Sequence, residues 1–133
     1  MSTIKAANLQ NTGSGAPTVK NSSGTEVGQF AKAWIHFNGN GTVSIKDDFN
    51  FSSVTDLGVG NYRVAFTNSM SDANYCIAMG FKSDQNNGNG AIHFGRGTNN
   101  NDPSTTGFDM VAHGSNNLAV VDPTHMYAVV FGS

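Results

Sequence analysis

The chain has 133 residues, enough for one domain, with 38% hydrophobic and only 12% charged residues, about half the charged share of roughly 25% usual in soluble domains. Its net charge of −2, with Lys and Arg scattered, leaves no basic stripe and excludes nucleic acid as an expected partner. A single Glu (Glu26) and gaps filled with Gly, Asn, Ser and Thr argue against long surface helices and for turns between short strands.

Residues 1–30 are thin in large apolar side chains, with Ile4, Leu9, Val19, Val27 and Phe30 set among Ser, Thr, Asn and Gly. Burial alone cannot order such a segment, so an extended N-terminal arm is expected over residues 1–30, either flexible or an attachment segment that becomes ordered against a partner. Within it, Asn21-Ser22-Ser23-Gly24 reads as the turn of a small hairpin between Thr18–Lys20 and Thr25–Val27. The start at Met1 carries no apolar signal segment and no stretch approaches ~20 apolar residues. The expectation is a protein made in the cytoplasm with no membrane insertion.

From Lys32 the period becomes two. Ala33, Ile35 and Phe37 share one face while Trp34 and His36 take the other. Asn38-Gly39-Asn40-Gly41 supplies a hairpin turn, and Val43 and Ile45 resume the alternation. Phe49 and Phe51 keep the parity of Val43 and Ile45, but so does Asp47, so a bend or bulge is expected near Asp47-Asp48. Trp34 reads as the anchor of the first strand, with a sugar-stacking platform as the other use of a tryptophan beside a tight turn. Phe49 and Phe51 are expected to close the core.

Gly58–Asn61 marks the next turn, after which Tyr62, Val64 and Phe66 form one face. In Tyr75–Phe81, large residues Tyr75, Ile77, Met79 and Phe81 alternate with Cys76, Ala78 and Gly80; small residues on a reverse face point to a close approach by another sheet or subunit. Cys76, the sole cysteine, is expected to be a small buried hydrophobe, and no intrachain disulfide can form. Further strands are expected over Ala91–Gly95, Phe108–His113 and His125–Phe131, the last buried on both faces. About seven short strands with Gly/Asn turns make the expected fold all-β, an antiparallel β-sandwich or jelly-roll-like domain over residues 31–133. Two long polar loops, Ser83–Gly90 and Arg96–Thr106, are the candidate recognition surfaces, through Asp84, Asn86, Asn87, Asn89, Arg96, Asn99, Asn100 and Asp102.

No residue pattern demands chemistry. His36, His93, His113 and His125 lack metal-ligand spacing, Asp47 and Asp48 as strand neighbours point to opposite faces, and Asp84–Gly90 lacks the acidic set of a calcium loop. No catalytic residue, metal or cofactor is expected, and no enzymatic activity.

One segment carries a more specific signal. Ala33-Trp34, Phe37–Ile45, Phe49–Ser53, Thr55-Asp56, Gly58, Gly60, Tyr62, Val64, Phe66 and Ala73–Tyr75 together resemble a module recurrent in tailed-phage virion proteins, especially tail-fibre-like proteins of marine and cyanobacterial phages. His36 stands where that pattern carries Asn. The resemblance implies a virion structural protein, homotrimeric and attached by its N-terminal region. Its core signature on this chain is Trp34, Phe37, Val43, Ile45, Phe49, Phe51, Tyr62, Val64, Phe66 and Tyr75. The implied role is a tail-fibre or receptor-binding subunit, with a capsid decoration protein or head fibre as the alternative and a carbohydrate-binding module as a further one. The implied partners are other virion proteins of the tail or capsid and a host surface glycan or protein. A polysaccharide depolymerase is disfavoured, because no converging carboxylates are visible.

Overall fold

The computed structural model describes residues 8–10, 17–82, 91–94, 102–114 and 119–132. Among them it has ten strands: β1 (Val19–Lys20), β2 (Glu26–Gly28), β3 (Ala33–Asn38), β4 (Ser44–Phe49), β5 (Phe51–Gly58), β6 (Asn61–Phe66), β7 (Cys76–Lys82), β8 (Ala91–Phe94), β9 (Gly107–His113) and β10 (His125–Phe131). Two four-stranded antiparallel sheets, ordered β4-β3-β10-β7 and β5-β6-β9-β8, form a sandwich, and β1-β2 make the separate hairpin expected before it. The fold class is all-β, as the composition implies.

Alternation decides what lies between the sheets. Ile35 and Phe37 of β3, Tyr62, Val64 and Phe66 of β6, Phe108 and Met110 of β9, and Met126, Ala128 and Val130 of β10 all join one core. The largest of these are fully covered, each worth roughly 1.5–3 kcal/mol relative to exposure. Val43 and Ile45 pack on this core while half-buried, and Tyr75 enters it just before β7. Phe66 stacks at a tilt on Phe51 and meets Tyr75 edge-on, with ring centroids 5.0 and 5.6 Å apart.

The hairpin β3–β4 forms at the expected turn. Gly39 is required there, because a Cβ would come within 2.5 Å of the Tyr62 hydroxyl. The expected bulge is also present: Phe37 pairs with Ile45 but His36 pairs with Asp47, so Lys46 is the extra residue.

At Asn50 the chain leaves the first sheet for the second. Asn50 has φ 61°, a left-handed conformation that Asn tolerates better than most residues. Its side chain holds the corner, with Nδ2 donating to the carbonyls of Lys32 and Asn68 and Oδ1 accepting from Asn68 N at 2.8 Å.

That corner overturns part of the expected core. Phe51 lies inside at 4% exposure, but Phe49, on the far side of the left-handed residue, is 53% exposed. Trp34 does not anchor the core either: it alternates out of phase with Ala33 and Ile35 and lies 36% exposed on the outer face. Cys76 is exposed rather than buried, because it shares the outward parity of Ala78 and Gly80 on β7. β10 is covered on one face only, with Met126, Ala128 and Val130 inward and Tyr127 and Phe131 exposed.

Candidate functional site

The outer face of the first sheet leaves several large apolar side chains exposed. Phe49, Trp34 and Val129 lie in register across β4, β3 and β10, and Ala78 of β7 continues the row. Tyr127 and Phe131 flank it, 40% and 38% exposed. Beside this aromatic ridge, β7 presents Cys76, Ala78 and Gly80, and no atom lies within 4 Å of the point where a side chain on Gly80 would begin. A large apolar patch next to a trough of small residues is the surface chemistry of a contact face.

One polar cluster is set into that face. His36 Nε2 lies 2.9 Å from His125 Nδ1, which also lies 3.2 Å from Lys46 Nζ. Lys46 can only donate, and Nζ also donates to the Thr124 carbonyl at 2.8 Å. The His36 ring stacks on Tyr127 with centroids 4.5 Å apart. Desolvation, with the positive charge of Lys46 and then His125, lowers the His36 pKa below its ordinary value, against the opposing pull of Asp47. His36 and His125 are thus brought together, although no spacing in the sequence pairs them. Among the described residues no group of three or more His, Cys, Asp or Glu is placed to hold a metal ion.

The second sheet is different outside. Ser53 and Thr55 of β5 stand opposite Ala65 and Arg63 of β6, and Arg63 stands opposite Asp109 of β9. Arg63 forks onto that carboxylate, Nε to Oδ1 at 2.7 Å and Nη2 to Oδ2 at 2.9 Å. Asp109 is the one buried charged residue among those described, at 3% exposure, while the Arg63 side chain is 40% exposed. A cavity of about 390 Å³ opens here, between Arg63 and Ala65 of β6, Asp109 of β9, and Asp102, Ser104 and Thr106 of the preceding segment. Ser104 shapes its wall: its Oγ bonds the Gly107 carbonyl and lies 3.1 Å from Thr106 Oγ1.

Of the residues expected to recognise a partner, Asp102 is exposed and lines this cavity. Asp84, Asn86, Asn87, Asn89, Arg96, Asn99 and Asn100 lie outside the described residues, as does Ile4 of the arm. Leu9, Val19, Val27 and Phe30 are all exposed, from 44% to 68%. Ser104 and Thr106 fall within the Arg96–Thr106 loop that the sequence singles out, whereas Arg63 and Asp109 were missed. Arg63 within "YRVAF" and Asp109 within "FDMVA" are charged intruders in apolar runs, the one signal that singles them out.

No protein family matches this sequence, and no curated protein matches it either. Among solved structures, the fold is similar to part of the phiAB6 tailspike, crystallised with three-repeated oligosaccharides of Acinetobacter baumannii surface polysaccharide, at a TM-score of 0.47 and 14% identity. The similarity takes in 96% of this chain and 30% of the tailspike chain, so this chain spans less than a third of that protein's length.

Proposed function

We propose that the chain is a non-enzymatic structural subunit of a tailed-phage virion, a tail-fibre or receptor-binding component that works as a homo-oligomer and is attached through its N-terminal segment. The observation that carries this reading is the chemical contrast between the two outer faces. One leaves Trp34, Phe49, Tyr127 and Phe131 in water, and the other is built of Ser53, Thr55, Arg63 and their neighbours. Second copies of the chain cover the first face: the ridge of Trp34 and Phe49 in one copy sets against the trough of Cys76, Ala78 and Gly80 in the next. A ridge and a trough at different places on one face make a head-to-tail contact, which closes into a ring when the rotation allows. Aromatic side chains with Lys46, Asp47 and Lys82 at the margin match the apolar centre and polar rim of such contacts. The exposed Leu9, Val27 and Phe30 give the N-terminal segment apolar side chains for a partner to bury. The motif of residues 33–75 supports the virion assignment.

Light scattering on the purified chain tests the oligomer, which is expected at a multiple of the 14.0 kDa chain mass. A monomer at about 100 μM, tenfold or more above the range of a stable contact, overturns it. Gold-labelled antibody against the β domain on intact virions tests the location. Label on the tail supports the tail-fibre role, whereas label confined to the capsid makes it a decoration protein.

A further inference from the structure

The cavity on the polar face invites a ligand, and its lining restricts which. About 390 Å³ lies in the lower part of the ~300–1,000 Å³ range of small-ligand sites. Its walls offer polar and apolar surface in similar measure, with Arg63, Asp102, Ser104, Thr106 and Asp109 supplying the polar side chains. Phe108, which also borders it, buries its side chain in the core at 2% exposure, and a wholly apolar ligand would leave the polar groups of the wall without partners.

Charge removes further classes. Among the described lining residues, Arg63 is the one cation, and its fork is already turned onto the Asp109 carboxylate. Asp102 adds a second carboxylate that no described cation in the lining offsets. A phosphate, uronate or sialate would meet a neutralised arginine and an acid, so anions are disfavoured. A metal ion would have to take Asp109 from Arg63, which engages both of its oxygens, so the pair of acids does not form a cation site either.

What remains is a ligand whose groups both donate and accept without net charge. A polyol meets that need: adjacent hydroxyls can donate to the Asp102 carboxylate and exchange hydrogen bonds with the Thr106 hydroxyl. The Arg63–Asp109 fork supplies a rigid polar wall beside them, held in place because a buried carboxylate cannot leave its partner without a large penalty. We propose that this cavity is a binding site for a neutral saccharide, one or two rings of a surface glycan. The site lies on the sheet opposite the apolar face, so it rests on the proposed role only in being turned outward, and it stands or falls separately from the oligomer.

The test is a titration of the isotope-labelled full chain with galactose, glucose and N-acetylglucosamine in one arm and glucuronate and N-acetylneuraminate in the other, followed by NMR. The neutral arm is expected to shift the Arg63 Nε–H and the amides of Thr106 and Gly107, with Kd in the millimolar range typical of a single small contact set, about 1 mM. Thr106→Val, which keeps the side-chain shape, is expected to weaken binding about fivefold, and Asp102→Lys to turn preference toward the acidic sugars. Unchanged amide spectra elsewhere establish that both variants fold. Three outcomes overturn the proposal: no shift from any neutral sugar at about 50 mM, far above that range; stronger binding of the acidic arm by the native chain; or shifts centred on the Trp34 indole, which put the sugar on the other face. Binding that survives both substitutions overturns it as well.

Discussion

Trp34 of β3 and Phe49 of β4 stand directly opposite one another on the outer face of the first sheet, and neither enters the core. Their contribution to the lone domain is that of one cross-strand pair, roughly 0.2–1 kcal/mol. Trp34→Ala is therefore expected to lower unfolding free energy by less than about 1 kcal/mol at protein concentrations low enough to dissociate the proposed oligomer, while Phe37→Ala on the opposite parity costs about 3–5 kcal/mol. At high concentration the same Trp34→Ala change is expected to reduce the assembled fraction. Urea denaturation at two concentrations reads both effects. Equal costs for the two variants at low concentration would mean that Trp34 is a core residue after all.

This pair also marks how far the sequence could be read. Period-two alternation grouped Ile35 with Phe37 and Tyr62 with Val64 and Phe66, and each of these sets does turn into the core. It failed for Phe49 because residues two apart share a face only within one strand, and Asn50 at φ 61° ends one strand and begins another in the other sheet. Nothing in "FNF" announces that reversal. On β3 and β10 both faces carry large apolar residues, so alternation alone could not say that Trp34, Tyr127 and Phe131 would stay outside. The Arg63–Asp109 fork escaped for another reason: its partners are 46 residues apart, and pairing between β6 and β9 skips two intervening strands. The His36–His125 contact spans 89 residues and was equally beyond local pattern.

Tyr62 gives a prediction at alkaline pH. Its ring is fully buried, and its hydroxyl lies 2.8 Å from Asp122 Oδ1 and 2.9 Å from the Gly39 carbonyl. Burial, and then the Asp122 carboxylate, raise its pKa far above the ordinary 10 of a phenol. Burial likewise pushes Tyr75 up to about 12. The fold therefore favours both neutral phenols, and the stability they lend is intact below pH 10 and lost as pH rises above it. Tyr62→Phe is expected to cost about 1–2 kcal/mol at pH 7 through the lost hydrogen bond, yet to flatten the decline between pH 10 and 12. Denaturation midpoints across that window check it, and parallel slopes for the variant and the native chain would contradict it.

His36 gives the opposite sign on the acid side. The groups facing it are Asp47 and Lys46 on β4 and His125 and Tyr127 on β10. Its lowered pKa means that the fold prefers the neutral ring, so this contribution is full above about pH 6.5, the unfolded value, and declines as pH falls below it. His36→Gln, which does not titrate, is expected to make stability less dependent on pH between 6.5 and 5. The same measurement on the proposed oligomer is expected to show dissociation earlier in the native chain than in the variant, since a protonated His36 beside Lys46 would be repelled within the proposed contact face. A variant as acid-sensitive as the native chain would assign the effect to other groups.

Asn50 offers a test of what holds the two sheets together at their shared corner. Two features act there, the left-handed backbone and the side-chain amide that bridges Lys32 and Asn68. Asn50→Gly keeps the first and removes the second, so it isolates the hydrogen bonds, worth roughly 1 kcal/mol apiece before water replaces them at this half-buried site. Asn50→Ala removes the bonds and also places a Cβ in the left-handed region, adding about 1 kcal/mol of strain. The expected order of stability is native, then Gly, then Ala, with the two variants separated by about that strain. Asn50→Asp keeps an acceptor for the Asn68 amide, 2.8 Å away, but loses both donations and sets a carboxylate against the carbonyls of Lys32 and Asn68. It is expected to fall below Gly as well, and to recover part of the difference when pH drops below about 4 and the carboxylate is protonated. Thermal unfolding of the three variants resolves the order, and an alanine variant as stable as the glycine one would show that the left-handed turn carries no strain at this corner.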